Sequence, residues 1–184
     1  YKQESVELVI STKYVEADII RILSELGILC IGENRLQATE SKKEELNDLD
    51  LKWHMFGHLQ RNKVKKAVRL FDLIHSVESV ALAKEINKES EKLGKSMRIL
   101  VEVNVSGEES KYGLSPEEAI PLLREINSLE RVKVEGLMTM MPIVDDPETC
   151  RPMFKELREL SERIRDENIQ NVEMNILSMG MTQD

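Results

Sequence analysis

Lys13 is the residue best placed for covalent chemistry. It follows the apolar run Val6–Ser11 through Ser11-Thr12-Lys13, so its stem can be buried while its amine faces out beyond the strand. Burial disfavours the charged form of a lysine and makes the amine a better nucleophile. Such an amine is suited to forming a Schiff base with a carbonyl. Far along the chain, Ser178-Met179-Gly180-Met181-Thr182 gathers two hydroxyls and the main-chain N–H groups around a glycine. A loop of this kind after a late strand commonly binds phosphate in parallel βα folds. An amine for an aldehyde and donors for a phosphate point to pyridoxal 5′-phosphate (PLP). They fit a Schiff-base aldolase acting on a phosphorylated sugar equally well.

Other polar residues also fall where strands are expected to end. They are Gly32-Glu33-Asn34, Gly57-His58, His75-Ser76, Asn104 with Ser106-Gly107, and Thr139. His54 and His58 are four residues apart but straddle a strand end rather than a helix face, which argues against metal ligation. His75 reads as a hydrogen-bonded core histidine. Arg61, Lys63, Lys65, Lys66 and Arg69 read as a solvated basic face, and Met138, Met140 and Met141 as core filling. The run Lys42-Lys43-Glu44-Glu45 reads as another solvated helix face.

The elements that must position these groups alternate strictly. Strands are expected at Val6–Ser11, Ile28–Ile31, Lys52–Phe56, Leu73–Ser76, Arg98–Val105, Lys133–Thr139 and Val172–Ser178. Most are continuous Val/Ile/Leu runs, as in strands covered on both faces. Helices are expected near Glu16–Leu26, Leu36–Asn47, Asn62–Phe71, Ser79–Leu93, Pro116–Ser128 and Pro152–Asn168. Ser115, Pro116 and Glu118 form a capping-box start for the fifth. Repeated βα units require a parallel sheet, either open and doubly wound or closed as a barrel, with its chemistry at the carboxyl ends of the strands. A closed eight-stranded barrel needs at least ~200 residues, and this sequence has 184. The eighth strand is therefore expected to be absent from the sequence. Met141–Pro147 is the expected long loop.

Composition sets the outer bounds. A hydrophobic fraction of 41% with 33% charged residues is that of a soluble globular chain, and 184 residues suit one domain over residues 1–184. No run approaches the ~20 apolar residues of a membrane span. A net charge of -8 disfavours coating nucleic acid. Two distant cysteines, Cys30 and Cys150, form no disulfide framework and suit the cytosol.

Several segments then match a known family. They are Ile31-Gly32-Glu33-Asn34, Trp53 to Gln60 with Asn62-Lys63-Val64-Lys65, Ile74-His75-Ser76-Val77, Glu102 to Lys111, Gly136 to Met140, and Ser178-Met179-Gly180-Met181. In this order they resemble the pyridoxal phosphate homeostasis proteins, the YggS/PROSC family. The resemblance implies a (β/α)8 TIM-like barrel of the alanine racemase N-terminal type, here lacking its last strand. It implies PLP on Lys13, with Asn34 towards the ring and Ser178, Met179, Gly180 and Thr182 towards the phosphate. Val15 stands where the family usually has proline. The family's later Arg-Ile-Gly motif, which faces the pyridine nitrogen and completes the phosphate cup, is absent from the sequence. A chain ending at Asp184 would be expected to hold PLP weakly and to expose a barrel edge.

The function implied is intracellular PLP buffering or delivery to apo-enzymes by a non-catalytic, monomeric carrier. The alternative is a racemase-like PLP enzyme. It would need a tyrosine opposed to the lysine, and Tyr1, Tyr14 and Tyr112 carry no sequence sign of that role.

Overall fold

A computed structural model describes residues 6–108 and 111–180. Seven strands form one parallel sheet in the order of the chain: β1 (Ile10–Ser11), β2 (Cys30–Glu33), β3 (Lys52–Met55), β4 (Leu73–Val77), β5 (Met97–Glu102), β6 (Val132–Met140) and β7 (Val172–Gly180). Between them run α1 (Ala17–Glu25), α2 (Leu36–Glu45), α3 (Val64–Leu70, entered by a 3₁₀ turn), α4 (Val80–Lys92), α5 (Pro116–Ile126) and α6 (Arg151–Asp166). The α5 start forms as expected, with Glu118 Oε2 accepting from the Ser115 N–H at 2.9 Å. Ser79 caps α4 by accepting from the Leu82 N–H at 3.3 Å.

The lack of alternation in the strands has its cause in two separate apolar layers. Ile31, Trp53, Met55, Ile74, Ile99, Val101 and Leu137 pack with helix residues such as Ile20, Val68, Ile86, Leu123 and Leu160. Their sequence neighbours Leu73, Leu100 and Met138, with Ile176, form a second cluster on the opposite face. Side chains alternate across a strand, so the first set faces the helices and the second faces inward. The sheet is strongly curled around that inner cluster. Adjacent strands lie ~4.8 Å apart, which would hold β4 and β7 roughly 14 Å apart in a flat sheet. Yet His75 Nδ1 of β4 and Ser178 Oγ of β7 are 2.9 Å apart. The architecture is thus a strongly curled parallel α/β sheet with its helices outside, as expected of a barrel with seven of its strands.

Strand β1 is much shorter than expected. Only Ile10 and Ser11 pair, with Ile31 and Gly32, and Val6 and Leu8 are largely exposed. β1 has a partner on one side only among the described residues, so its leading residues gain neither a second ladder nor a covered face.

Candidate functional site

The carboxyl ends of the strands form one rim, and the residue before Lys13 is the most tightly held part of it. Thr12 is fully buried. Its N–H donates to the Gly32 carbonyl at 2.9 Å and its hydroxyl to Glu33 Oε1 at 2.7 Å. Its carbonyl accepts from Lys42 Nζ at 2.7 Å. Lys42 closes the triangle with Glu33 Oε1 at 2.6 Å. An ion pair out of water needs further hydrogen bonds to be tolerated. Thr12 supplies one to each partner; both bonds to the carboxylate fall on Glu33 Oε1, while Glu33 Oε2 is buried with no partner among the described residues. The charge run is therefore only partly a solvated face: Glu44 and Glu45 are exposed, but the two lysines are not. Lys42 is 7% exposed, and neighbouring Lys43 donates to the Leu70 carbonyl at 2.6 Å. The reason is geometric: α2 packs back over the end of β2, whose Glu33 demands a cation.

Lys13 itself lies in the turn after β1 and is half-buried, with its Nζ 4.9 Å from the Tyr14 ring centroid. Asn34 follows β2 directly and is exposed. Gly57, at φ +74°, carries the turn after β3 so close that a Cβ there would lie 3.3 Å from Asn34 Cβ. Gly32 does a similar service inside, since a Cβ on it would sit 2.1 Å from the Phe56 ring. That ring meets His75 edge-on, with centroids 4.7 Å apart.

A line of hydrogen bonds then crosses the mouth. His54 Nδ1 lies 3.1 Å from His75 Nε2, and His75 Nδ1 lies 2.9 Å from Ser178 Oγ. Burial pushes His75 down to about 3, helped by the neighbouring His54. Burial also lowers His54. Both rings are accordingly neutral near pH 7. Ser178 sits opposite Met138 in the sheet, and Gly180 opposite Met140. A Cβ added to Gly180 would meet nothing within 4 Å among the described residues. The Met179 side chain is 38% exposed. Thr182 lies outside the described residues.

One further acid lines the rim. Glu102, at the end of β5, is 5% exposed, and its Oε2 has no hydrogen-bond partner among the described residues. Burial, and then the charge of Glu78, push it up to about 7. Glu78 in turn pairs with His58 at 2.9 Å, and His58 stacks on Tyr112 at 4.6 Å.

The structure thus sets Lys13, Asn34, Ser178, Met179 and Gly180 on the carboxyl ends of β1, β2 and β7, with His75 joined directly to Ser178. Sequence reasoning missed the partnership of Glu33 with Lys42, the contact of His75 with Ser178, and buried Glu102. A signal existed for the first: an acid in the apolar run Ile31-Gly32-Glu33 must find a partner if buried.

The chain matches the family model "Alanine racemase, N-terminal domain" over residues 15–184, a match that begins just after Lys13. A pyridoxal phosphate homeostasis protein of Aquifex aeolicus is 44% identical over 95% of this chain and 75% of its own length. One from Helicobacter pylori is 33% identical over 97% of this chain and 78% of its own. Among solved structures, PipY of Synechococcus elongatus with PLP bound superposes with a TM-score of 0.89 at 34% identity, covering 98% of this chain and 84% of that one. An alanine racemase of Clostridium difficile, at 16% identity, shares the fold with a TM-score of 0.81 over 97% of this chain and 47% of that one. The chain belongs to the alanine racemase N-terminal domain family and, within it, to the pyridoxal phosphate homeostasis proteins.

Proposed function

We propose that this chain binds PLP as a Schiff base on Lys13 and serves intracellular PLP homeostasis as a non-catalytic carrier. The observation that carries this reading is the placement of Lys13 and Ser178 at the ends of β1 and β7 of a curled sheet. This supports an amine and a hydroxyl that could donate to a phosphate on the same rim. The cofactor fits this donor set. Gly180 puts no side chain near Ser178, and nothing among the described residues lies within 4 Å of its Cβ position. Lys13 follows a residue fixed at its N–H, hydroxyl and carbonyl.

When bound, the cofactor supplies an aldehyde for the amine and an electron-poor ring. The chain's own residues do the rest. Lys13 supplies the nucleophile, and Thr12, Glu33 and Lys42 fix the strand end that carries it. Asn34 would approach the ring side. Ser178, Thr182 and the main-chain N–H groups of Met179 and Gly180 would hold the phosphate. Tyr14 approaches Lys13 through its ring and Tyr112 stacks on His58. Among the described residues no helix is long and apolar enough to cross a membrane; the proposed carrier works in the cytoplasm and passes PLP to apo-enzymes.

The test is an absorption spectrum with added PLP, beside a Lys13→Ala variant. Wild type should give a Schiff-base band that borohydride fixes, and the variant should give none. Identical spectra would remove Lys13 as the anchor. Turnover of amino acids by the loaded wild type would replace the carrier with an enzyme.

A further inference from the structure

Ser178 does not face the mouth alone; two buried histidines stand behind it. We propose that the His54–His75 pair is a positioning device that orients the Ser178 hydroxyl as a donor to phosphate, so that the chain discriminates PLP from pyridoxal. This rests on the PLP reading above and assigns the part of the site that senses the phosphate.

The protons available to the line limit what Ser178 can do. A neutral imidazole carries one N–H and one acceptor nitrogen. The line His54 Nδ1···His75 Nε2 and His75 Nδ1···Ser178 Oγ, at 3.1 and 2.9 Å, therefore has two polarities. In the first, His54 Nδ1–H donates to His75, His75 Nδ1–H donates to Ser178 Oγ, and the serine O–H is left to point elsewhere. In the second, Ser178 donates its only proton to His75 and has none left to give. A phosphate group presents strong acceptor oxygens, so only the first polarity lets Ser178 bind it.

The surroundings suit such a line. His54 and His75 are 4% and 2% exposed, so bulk water does not compete for their nitrogens. Burial keeps both rings neutral, which preserves the one-donor, one-acceptor count. In a low-dielectric interior each bond polarises the next, strengthening the terminal donor. Phe56, edge-on to His75, holds the ring that must present Nδ1 to the serine.

The experiment titrates wild type, His75→Leu, His75→Gln, Ser178→Ala and the His75→Leu/Ser178→Ala double variant with PLP and with pyridoxal, reading the Schiff-base band. His75→Leu should weaken PLP by about tenfold, the scale of a hydrogen bond to a charged group lost or misaimed. It should leave pyridoxal unchanged, because pyridoxal has no phosphate. His75→Gln, whose amide can both donate and accept, should recover part of the discrimination. The double variant should be no worse than Ser178→Ala alone, since the histidine acts through the serine.

Equal weakening of both ligands would mark His75 as merely structural and overturn the proposal, as would no weakening of either. If His75→Leu does not fold, nitrogen-15 NMR of PLP-bound wild type decides: protons on Nδ1 of both His75 and His54 support it, and a proton on His75 Nε2 overturns it. A wild type that forms no band with either ligand fails the PLP reading itself, and the inference falls with it. A normal band with an unaltered PLP-to-pyridoxal ratio in the variants overturns the inference alone.

Discussion

Lys42 Nζ donates at 2.7 Å to the main-chain carbonyl of Thr12, thirty residues earlier in the chain and immediately before Lys13. A buried cation on a helix thus holds the peptide that presents the candidate anchor. Removing one partner of a buried pair leaves the other uncompensated, at a cost of roughly 3–5 kcal/mol. Lys42→Met should lose stability on that scale in urea unfolding. The Lys42→Met/Glu33→Gln double variant should recover part of the loss, because a glutamine still accepts from the Thr12 hydroxyl. A single-variant loss below about 1 kcal/mol would mean that the triangle does not hold the strand end.

Gly136 on β6 and Gly180 on β7, the strand that carries Ser178, differ sharply in the room around them. On Gly136 a Cβ would lie 1.8 Å from the Ile176 carbonyl oxygen, a main-chain atom that cannot swing away. It sits where the β6–β7 register shifts, between Val134 and Gly136. Overpacking alone costs typically 1–3 kcal/mol, so Gly136→Ala should lose at least that much, or fail to fold. Gly180→Ala, with nothing within 4 Å, should leave stability within ~0.5 kcal/mol while weakening PLP. Equal stability losses at the two sites would contradict the close approach of β6 to β7.

The layout of βα units was readable because both faces of each strand are buried, which writes uninterrupted apolar runs into the sequence. The capping box at Ser115 and Glu118 was readable because it is local. Lys42 was not. A helical pattern does not say which polar side chain meets a buried acid, and Glu33 reaches Lys42 only once α2 folds back on β2. His75 and Ser178 are 103 residues apart, and their contact exists only because the sheet curls. Glu102 drew no notice inside the expected strand Arg98–Val105, since nothing local marks a carboxyl that lacks a partner.

That carboxyl makes a prediction with a definite sign. Glu102 has its folded value raised from 4.5 to about 7 by burial and by Glu78. Between those limits the native state holds a proton that the unfolded state has released, so stability falls as pH rises. The loss is complete above about pH 7 and is on the order of 3 kcal/mol. Glu102→Gln removes it. The variant should match wild type near pH 4 and be more stable at pH 8, by thermal or urea unfolding. A stability difference independent of pH would show that Glu102 is not buried as an unpartnered acid.

His75 pulls the other way over an overlapping range. Its folded value is lowered from 6.5 to about 3 by burial, so below pH 6.5 the unfolded state binds a proton that the native state refuses. That contribution is present above pH 6.5 and is lost as pH falls towards 3. From about pH 4.5 to 6.5 the two slopes oppose each other, each worth about 1.4 kcal/mol per pH unit for one proton. In wild type these two contributions offset each other, leaving the slope set by the remaining groups, the lowered His54 among them. Glu102→Gln should therefore uncover a stability that climbs with pH across this window, and His75→Gln one that declines. The double variant should return to the wild-type slope, because the two linkages are lost together. Urea unfolding of the four proteins at pH 4.5, 5.5 and 6.5 reads all three slopes. A double variant that keeps either single slope would mean that the histidine or the carboxyl titrates near its ordinary value in the folded chain.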